Sequence, residues 1–485
     1  MKVVVLVPSA DSLATAGVRI RYDRLRTALL ECDVELAVTP IDKFDAPRAD
    51  CDAVIVSKCY DARALMAAAI LSRRTIKVGL DLFDDYFGDA SDSRLSRYRT
   101  WLRQMLRLSH FALCSTPAMA AIISSYRADV PVHILNDPAP ALDRGALADA
   151  LERKFARASS GAALRIAWFG IGDNPYFPVG LSDLQSFGEA LRQIALEMPV
   201  TLEILTNKRA LDAAGLATIA QLPLRPKVEI WSAQGEAELL ARTDLCVLPV
   251  NAQAFSISKS LNRAVTALTA GCQVLSLGYP LYAPLGGLIY RDVETLLVDW
   301  RSNEPRLRPA TLPALEARMD ELASATREAR RLTQFLETVD APPPTAAGPI
   351  ALLHGFTSSQ AAHAAVKAAG GLSIATPFCS QELEFDAIVK LAPGREPSLM
   401  VAVDALSKLA NPRRRRNEPV QRVNGRKFVE IDGRVPDEAP PPRALPVQLA
   451  LYEPLIEAAS TLVSEKFGAS VFLSEEAALP VEPAI

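Results

Sequence analysis

Leu164-Arg165-Ile166-Ala167-Trp168-Phe169-Gly170-Ile171-Gly172 is the stretch on which the fold turns. Its first six residues read as a strand apolar enough to be buried on both faces, and the glycines that follow let the chain turn. The segment before it, Asp143 to Ala163, is rich in Ala, Arg and Ser and carries no strand signal, so it reads as a connection between domains. The same alternation of short β-branched runs and helical periodicity lies on both sides of that connection. Upstream, the strands expected are Val3 to Val7, Val34 to Val38, Ala53 to Ser57, Ile76 to Leu80, Phe111 to Ser115 and Val132 to Leu135. Downstream of Leu164 to Phe169 they are Leu202 to Leu205, Val228 to Trp231, Leu245 to Val250 and Val274 to Leu277. Apolar strands separated by helices imply a parallel sheet covered on both faces. The restart at Leu164 therefore predicts two tandem Rossmann-like, doubly wound α/β domains, over residues 1–150 and 151–340.

A charged helix over about Leu312 to Leu336 is expected to close the second domain, and Pro342-Pro343-Pro344 marks a linker. Of the 35 prolines, 17 fall in residues 342–485, so residues 345–485 read as an additional, loop-rich domain of α/β or α+β type. Strand-like runs occur there at Ile350 to Leu353, Ala387 to Leu391, Leu399 to Val403 and Phe428 to Ile431, with a helix from about Val447 to Ser464.

Composition removes several functional classes. At 485 residues the chain is long enough for about three domains, and 49% hydrophobic with 22% charged residues excludes wholesale disorder. A net charge of -3 supplies no overall basic field, so nucleic acid is not an expected partner. Seven cysteines without a CxxC pair read as reduced thiols of a cytoplasmic protein. Four histidines without HExxH give no support for a metal centre, and no cofactor is expected. The run Val3 to Val7, ended by Pro8, is too short for a signal-peptide core. No stretch approaches the roughly 20 apolar residues of a membrane span, which leaves peripheral contact at the inner membrane face as the only form of membrane association expected.

In an open α/β sheet the ligand lies beyond the carboxyl ends of the strands, so the loops there hold the candidate chemistry. Gly170 and Gly172 let the backbone approach a ligand closely, although Pro175 stands where a GxGxxG fingerprint needs its third glycine. Lys208, in Thr206-Asn207-Lys208-Arg209, adds a cation at the next strand end. In Ser258-Lys259-Ser260-Leu261-Asn262-Arg263, Ser258 is expected to cap a helix that Gly271 ends, while Lys259 and Arg263 share one face near its start. Capping, helix dipole and cations together describe a phosphate site. In the first domain, Gly17, Arg19 and Arg21 follow strand one and suit an anionic group. Asp81, Asp84 and Asp85 could hold Mg²⁺, bond sugar hydroxyls or simply cap a helix.

In the last third, Gly371-Leu372-Ser373-Ile374-Ala375 has the outline of a hydrolase nucleophile elbow, but Ser373 enters a strand instead of leaving one, which argues against that chemistry. Leu353-His354-Gly355-Phe356 is similar to a hydrolase oxyanion loop, and Arg413 to Arg416 read as a solvated basic loop with an anionic lipid or polymer as the sharper alternative.

These residues, in this order, resemble the retaining GT-B glycosyltransferases, family-4-like, that act in bacterial surface polysaccharide synthesis. The likeness spans roughly Lys2 to Leu336. It rests on Gly17-Val18-Arg19, Leu80 to Asp85, Ser115-Thr116-Pro117, Ile134 to Pro138, Asp244 to Pro249, Ser258 to Arg263 and Ala267 to Val274. The resemblance implies a nucleotide-diphosphate sugar on the second domain, held by Gly170, Gly172, Lys208, Ser258, Lys259, Asn262 and Arg263. It implies a glycan or lipid-linked acceptor on the first, near Gly17, Arg19, Arg21 and Asp84, with no metal. One departure is plain: the two glutamates of the family's E-x7-E signature would fall at Ser258 and Thr266, and an Asn262-Arg263 pair stands in the same segment. The loop after Phe169 also lacks the family's Arg and Lys-Gly pattern. The expected activity is hexosyl transfer from a nucleotide-sugar. The alternative is a non-catalytic glycosyltransferase-like binding or assembly protein. A nicotinamide-dependent oxidoreductase lacks its fingerprint in both first βα loops.

Overall fold

Val3, Val5 and Val7 enter one apolar core while Leu6 enters another, so the first strand is buried on both faces by its period of two. In this computed structural model the described residues are 1–341, together with the strands Ile350–His354, Leu372–Ala375, Ala387–Lys390, Val420–Val423, Arg426–Glu430 and Ala469–Leu473. The first sheet contains β1 (Lys2–Val7), β2 (Glu35–Pro40), β3 (Ala53–Ser57), β4 (Lys77–Leu82), β5 (Phe111–Cys114) and β6 (Val132–Ile134). All are parallel, in the order β2-β1-β3-β4-β5-β6. The second contains β7 (Leu164–Gly170), β8 (Val200–Thr206), β9 (Lys227–Ile230), β10 (Leu245–Val247) and β11 (Gln273–Leu275), again parallel, in the order β9-β8-β7-β10-β11. Helices cover both faces of each sheet, and the protein is built on two tandem Rossmann-like α/β domains.

The two sheets are not wound alike. Counted within its own domain, the second runs 3-2-1-4-5, with the strand order reversing between β7 and β10. The first runs 2-1-3-4-5-6, which places its reversal between β1 and β3. Ligand crevices in such sheets open at these reversals, beyond the strand ends. They point to the loops after Gly170 and Val247 in one domain, and after Val7 and Ser57 in the other.

The structure adds detail to three of these expectations and changes one. The Asp143 to Ala163 connection is a helix, Arg144–Ser159, capped by the Asp143 side chain; a boundary at residue 150 falls inside it, and its Leu147 and Leu151 belong to the core of the second domain. Gly271 does end its helix, since Gly271 N–H reaches the Leu268 carbonyl and Cys272 N–H that of Ala267. The closing helix, however, is two helices, Leu312–Ala323 and Ala325–Thr338, broken at Ser324, which caps the second. That second helix crosses back: Ala329, Leu332 and Leu336 are buried in the core of the first domain. The runs Leu399 to Val403 and Val447 to Ser464, the loop Gly355-Phe356 and Arg413 to Arg416 lie outside the described residues. Ser373 sits within the strand Leu372–Ala375. Among the described residues, no helix is long and apolar enough to cross a membrane.

The crossing helix is fastened by Glu328, which is fully buried and accepts from the backbone N–H and side-chain amide of Asn136, at 2.9 and 3.0 Å. Beside it, His133 stacks on Phe335 with ring centroids 5.0 Å apart. Burial, and then the nearby Arg331, push the His133 imidazole down to about 4 from an ordinary 6.5. Above pH 6.5 both folded and unfolded chains carry it neutral. As pH falls from 6.5 to 4 the unfolded chain takes up a proton that the folded one refuses, so stability is lost across that window, by up to about 3 kcal/mol less solvent screening of a half-buried ring. Denaturant unfolding of His133→Phe at pH 7 and pH 4.5 is expected to show a smaller loss than the parent protein; equal losses would contradict this assignment.

Candidate functional site

The crevice of the second domain is built first by its backbone. Gly170 has φ of +148°, a conformation that side chains rarely adopt, and a Cβ there would stand 3.1 Å from the Arg263 guanidinium. Gly172 is packed so closely that a Cβ would lie 2.5 Å from Thr206 Oγ1; its N–H donates to Asn207 Oδ1 at 2.9 Å. Asn207 in turn donates to Asp173, which also accepts from Arg209. The glycine loop after β7 is thus locked onto the end of β8, and Ile171 is held outward, 67% exposed.

Facing this loop is the segment after β10. Ser258 does not cap the helix: it ends a short preceding helix, Ala254–Ile257, and Ser258 Oγ back-bonds to the Ala254 carbonyl at 2.9 Å. The helix begins instead at Asn262 (Asn262–Thr269), with Leu261 before it and no side-chain cap on its first-turn amides. Arg263, half-buried in that first turn, lies against Gly170 and has no hydrogen bond or ion pair among the described residues. Lys208 is exposed at the start of the turn Lys208–Leu211, also without an ion pair there.

Lys259 is differently placed. It reaches across the cleft to Asp84 of the first domain and lies over the Phe255 ring, 3.9 Å from the centroid. Asp84 also pairs with Lys58 at 2.6 Å. Burial pushes the Asp84 carboxyl up, but the two ammonium groups outweigh it and hold the group well below the ordinary carboxylate range. Burial lowers the Lys259 ammonium, and Asp84 partly restores it. Asp137 makes a second bridge: it accepts from Ser260 Oγ at 2.6 Å and Asn262 Nδ2 at 3.3 Å on one domain, and from Arg21 at 3.0 Å on the other. A third tie joins Thr116 Oγ1 to the Ser258 carbonyl at 3.1 Å.

The acceptor-side candidates separate. Arg21 is interior, 1% exposed, and its donors go to Asp81, the Leu135 carbonyl and Asp137. It is a structural ion pair, not a ligand. Arg19 crosses to the second domain, where it lies over Trp231 at 5.5 Å and pairs with Glu236 at 3.3 Å. Gly17 is helical, and its surface meets the Phe83 ring. Asp84 meets Lys259 of the second domain across the cleft. The three aspartates do not converge on a metal: Asp81 serves Arg21 and Tyr22, Asp84 the two lysines, and Asp85 the N–H groups of Phe87 and Gly88. Lys58 escaped the sequence reading altogether, because its left-handed backbone, φ +57°, leaves no trace in residue type. Knowledge that the first sheet reverses between β1 and β3 would have drawn attention to it.

No family model matches the chain, and neither does any curated relative. Solved structures do resemble it. They include a UDP-forming trehalose-phosphate synthase of Burkholderia xenovorans, 12% identical over 70% of this chain and 99% of that one, with a TM-score of 0.45. HepE of Anabaena, solved in complex with UDP, is 14% identical over 70% and 100%, at 0.44. The N-terminal domain of a Candida albicans trehalose-6-phosphate phosphatase is 10% identical over 69% and 96%, at 0.46. With each TM-score below 0.5, function has to be argued from the residues of this chain.

Proposed function

We propose that the protein is a glycosyltransferase, of the retaining hexosyl type, that takes a sugar from a nucleoside diphosphate bound on the second domain. The acceptor is a glycan or lipid-linked molecule held on the first domain, and the setting is cytoplasmic polysaccharide synthesis. The observation that carries this reading is Arg263. A guanidinium with no hydrogen bond or ion pair among the described residues is held against a glycine in a conformation that side chains rarely adopt, at the strand-order reversal of a Rossmann-type sheet, in the first turn of an uncapped helix. A planar, always charged fork in that position is suited to a diphosphate.

In the reaction, the bond between the sugar and the β-phosphate breaks as a bond to an acceptor hydroxyl forms, and the hydroxyl proton leaves with the diphosphate or to solvent. Arg263 and the first-turn amides stabilise the charge that develops on the leaving diphosphate, and no metal is needed for that role. The second reading, a binding protein without turnover, is favoured by Ser258 and Thr266, which stand where carboxylates would be expected and are both buried. A thermal-shift panel of UDP, GDP, ADP and their sugars tests the donor class. A ligand at about 100 times its dissociation constant adds roughly 2.7 kcal/mol to the state that binds it. A shift selective for one nucleotide is expected; no shift with any of them overturns the proposal, and binding without turnover assigns the second reading.

A further inference from the structure

Beyond the strand ends at the β1/β3 reversal of the first sheet, the Phe83 ring forms a floor. Gly17 touches one edge of it, the Lys58 ammonium stands 4.3 Å from its centroid, and Asp84 lies beside that ammonium at 2.6 Å. Lys58 is the residue immediately after β3 and holds φ of +57°. A non-glycine residue kept in that conformation marks a position the surrounding structure has fixed against local preference. Its side chain is 39% exposed, so solutes can reach it. One further group here is buried and has no hydrogen-bond partner among the described residues: the Tyr60 hydroxyl, close enough to Asp84 that the carboxylate adds to the effect of burial in raising the phenol. Charge decides the ligand. Lys58 and Lys259 share a single aspartate, so this group of three carries a net positive charge, and each ammonium has donors left after meeting Asp84.

We propose that this crevice binds an oxyanionic group of the acceptor, a phosphate or a carboxylate, with Lys58 as its ligand. The inference deepens the glycosyltransferase reading and rests on it for the word acceptor, while the anion site itself is measured separately. It commits the acceptor to an acidic molecule, where the cleft alone would admit a neutral glycan.

The test is calorimetric titration of inorganic phosphate, and separately of glucuronate, into the full chain saturated with UDP, so that the donor site is filled. Binding of at least one of the two is expected, and which one identifies the oxyanion. Lys58→Gly suits the left-handed backbone but removes the whole side chain, its ion pair with Asp84 included, so it is expected to weaken the anion by tenfold or more while the fold is kept, because Lys259 still pairs with Asp84. Lys58→Arg restores much of the affinity, and Arg263→Ala leaves it unchanged. Anion affinity indifferent to Lys58→Gly, or binding of neither anion, overturns the proposal. If UDP itself fails to bind, the donor reading has failed, and the same titration in the Arg263→Ala background still reads the Lys58 site on its own.

Discussion

Arg21→Ala is expected to lower the free energy of unfolding by about 3–5 kcal/mol, the largest single effect predicted for this chain. The guanidinium is interior and joins Asp81 through two hydrogen bonds, at 2.5 and 2.7 Å, while Tyr22 donates to the same carboxylate at 2.7 Å. Its remaining contacts run to the Leu135 carbonyl and Asp137, so one side chain ties β4 to the segment that leads into the second domain. Removing it leaves Asp81, itself 0% exposed, as a charge with only a phenol for company. Arg21→Met combined with Asp81→Leu removes both charges and should cost less than the single change, although Asp137 and the Leu135 carbonyl still lose their donor. Calorimetric melting measures both variants. A loss under about 1 kcal/mol for Arg21→Ala would show that water reaches the site and that the pair is not interior in solution.

The second large effect is on ligand affinity. Arg263→Ala is expected to weaken the selected nucleoside diphosphate by about 10- to 100-fold, since a hydrogen bond to a charged group contributes roughly 1.5–3 kcal/mol. The fold should be little harmed, because Arg263 makes no hydrogen bond or ion pair among the described residues and acts on Asp183 only at longer range. Lys259→Ala should weaken it less, as that ammonium is already engaged with Asp84. Asp84→Asn should then tighten the diphosphate, because the cleft sheds a negative charge and Lys259 is released. Equal losses for Arg263→Ala and Lys259→Ala, with no gain in Asp84→Asn, would contradict this division of labour.

What the sequence made legible was the periodic part. Each strand expected in the first 280 residues is present, because apolar runs between helices leave few alternatives to a covered parallel sheet. What it hid depends on local departures and on order. Arg21 and Tyr22 both point inward because the segment Arg19–Asp23 is a π-helical turn, and the residue it inserts rotates the buried face away from the one that 3.6-residue spacing predicts. Ser258 satisfies the capping pattern, yet its hydroxyl finds a nearer acceptor in the preceding turn. Lys58 becomes conspicuous only when the sheet order is known, and parallel strands of similar composition do not declare their order.

The crossing helix, finally, sets the plumbing of the chain. The polypeptide passes between the domains twice, first through Asn136 to Asp143 and again at Ser324, and these two crossings meet where Glu328 holds Asn136. A door hung on two adjacent pins can swing but cannot be lifted away, so rotation about that corner is the motion left to the cleft. Cutting the chain after residue 323 would strip the first domain of part of its interior, and a stop codon there should yield an insoluble fragment instead of a smaller folded protein. Val339 is itself buried in that interior, so the helix and the turn that follows it are anchored on the first domain from Ala329 to Val339.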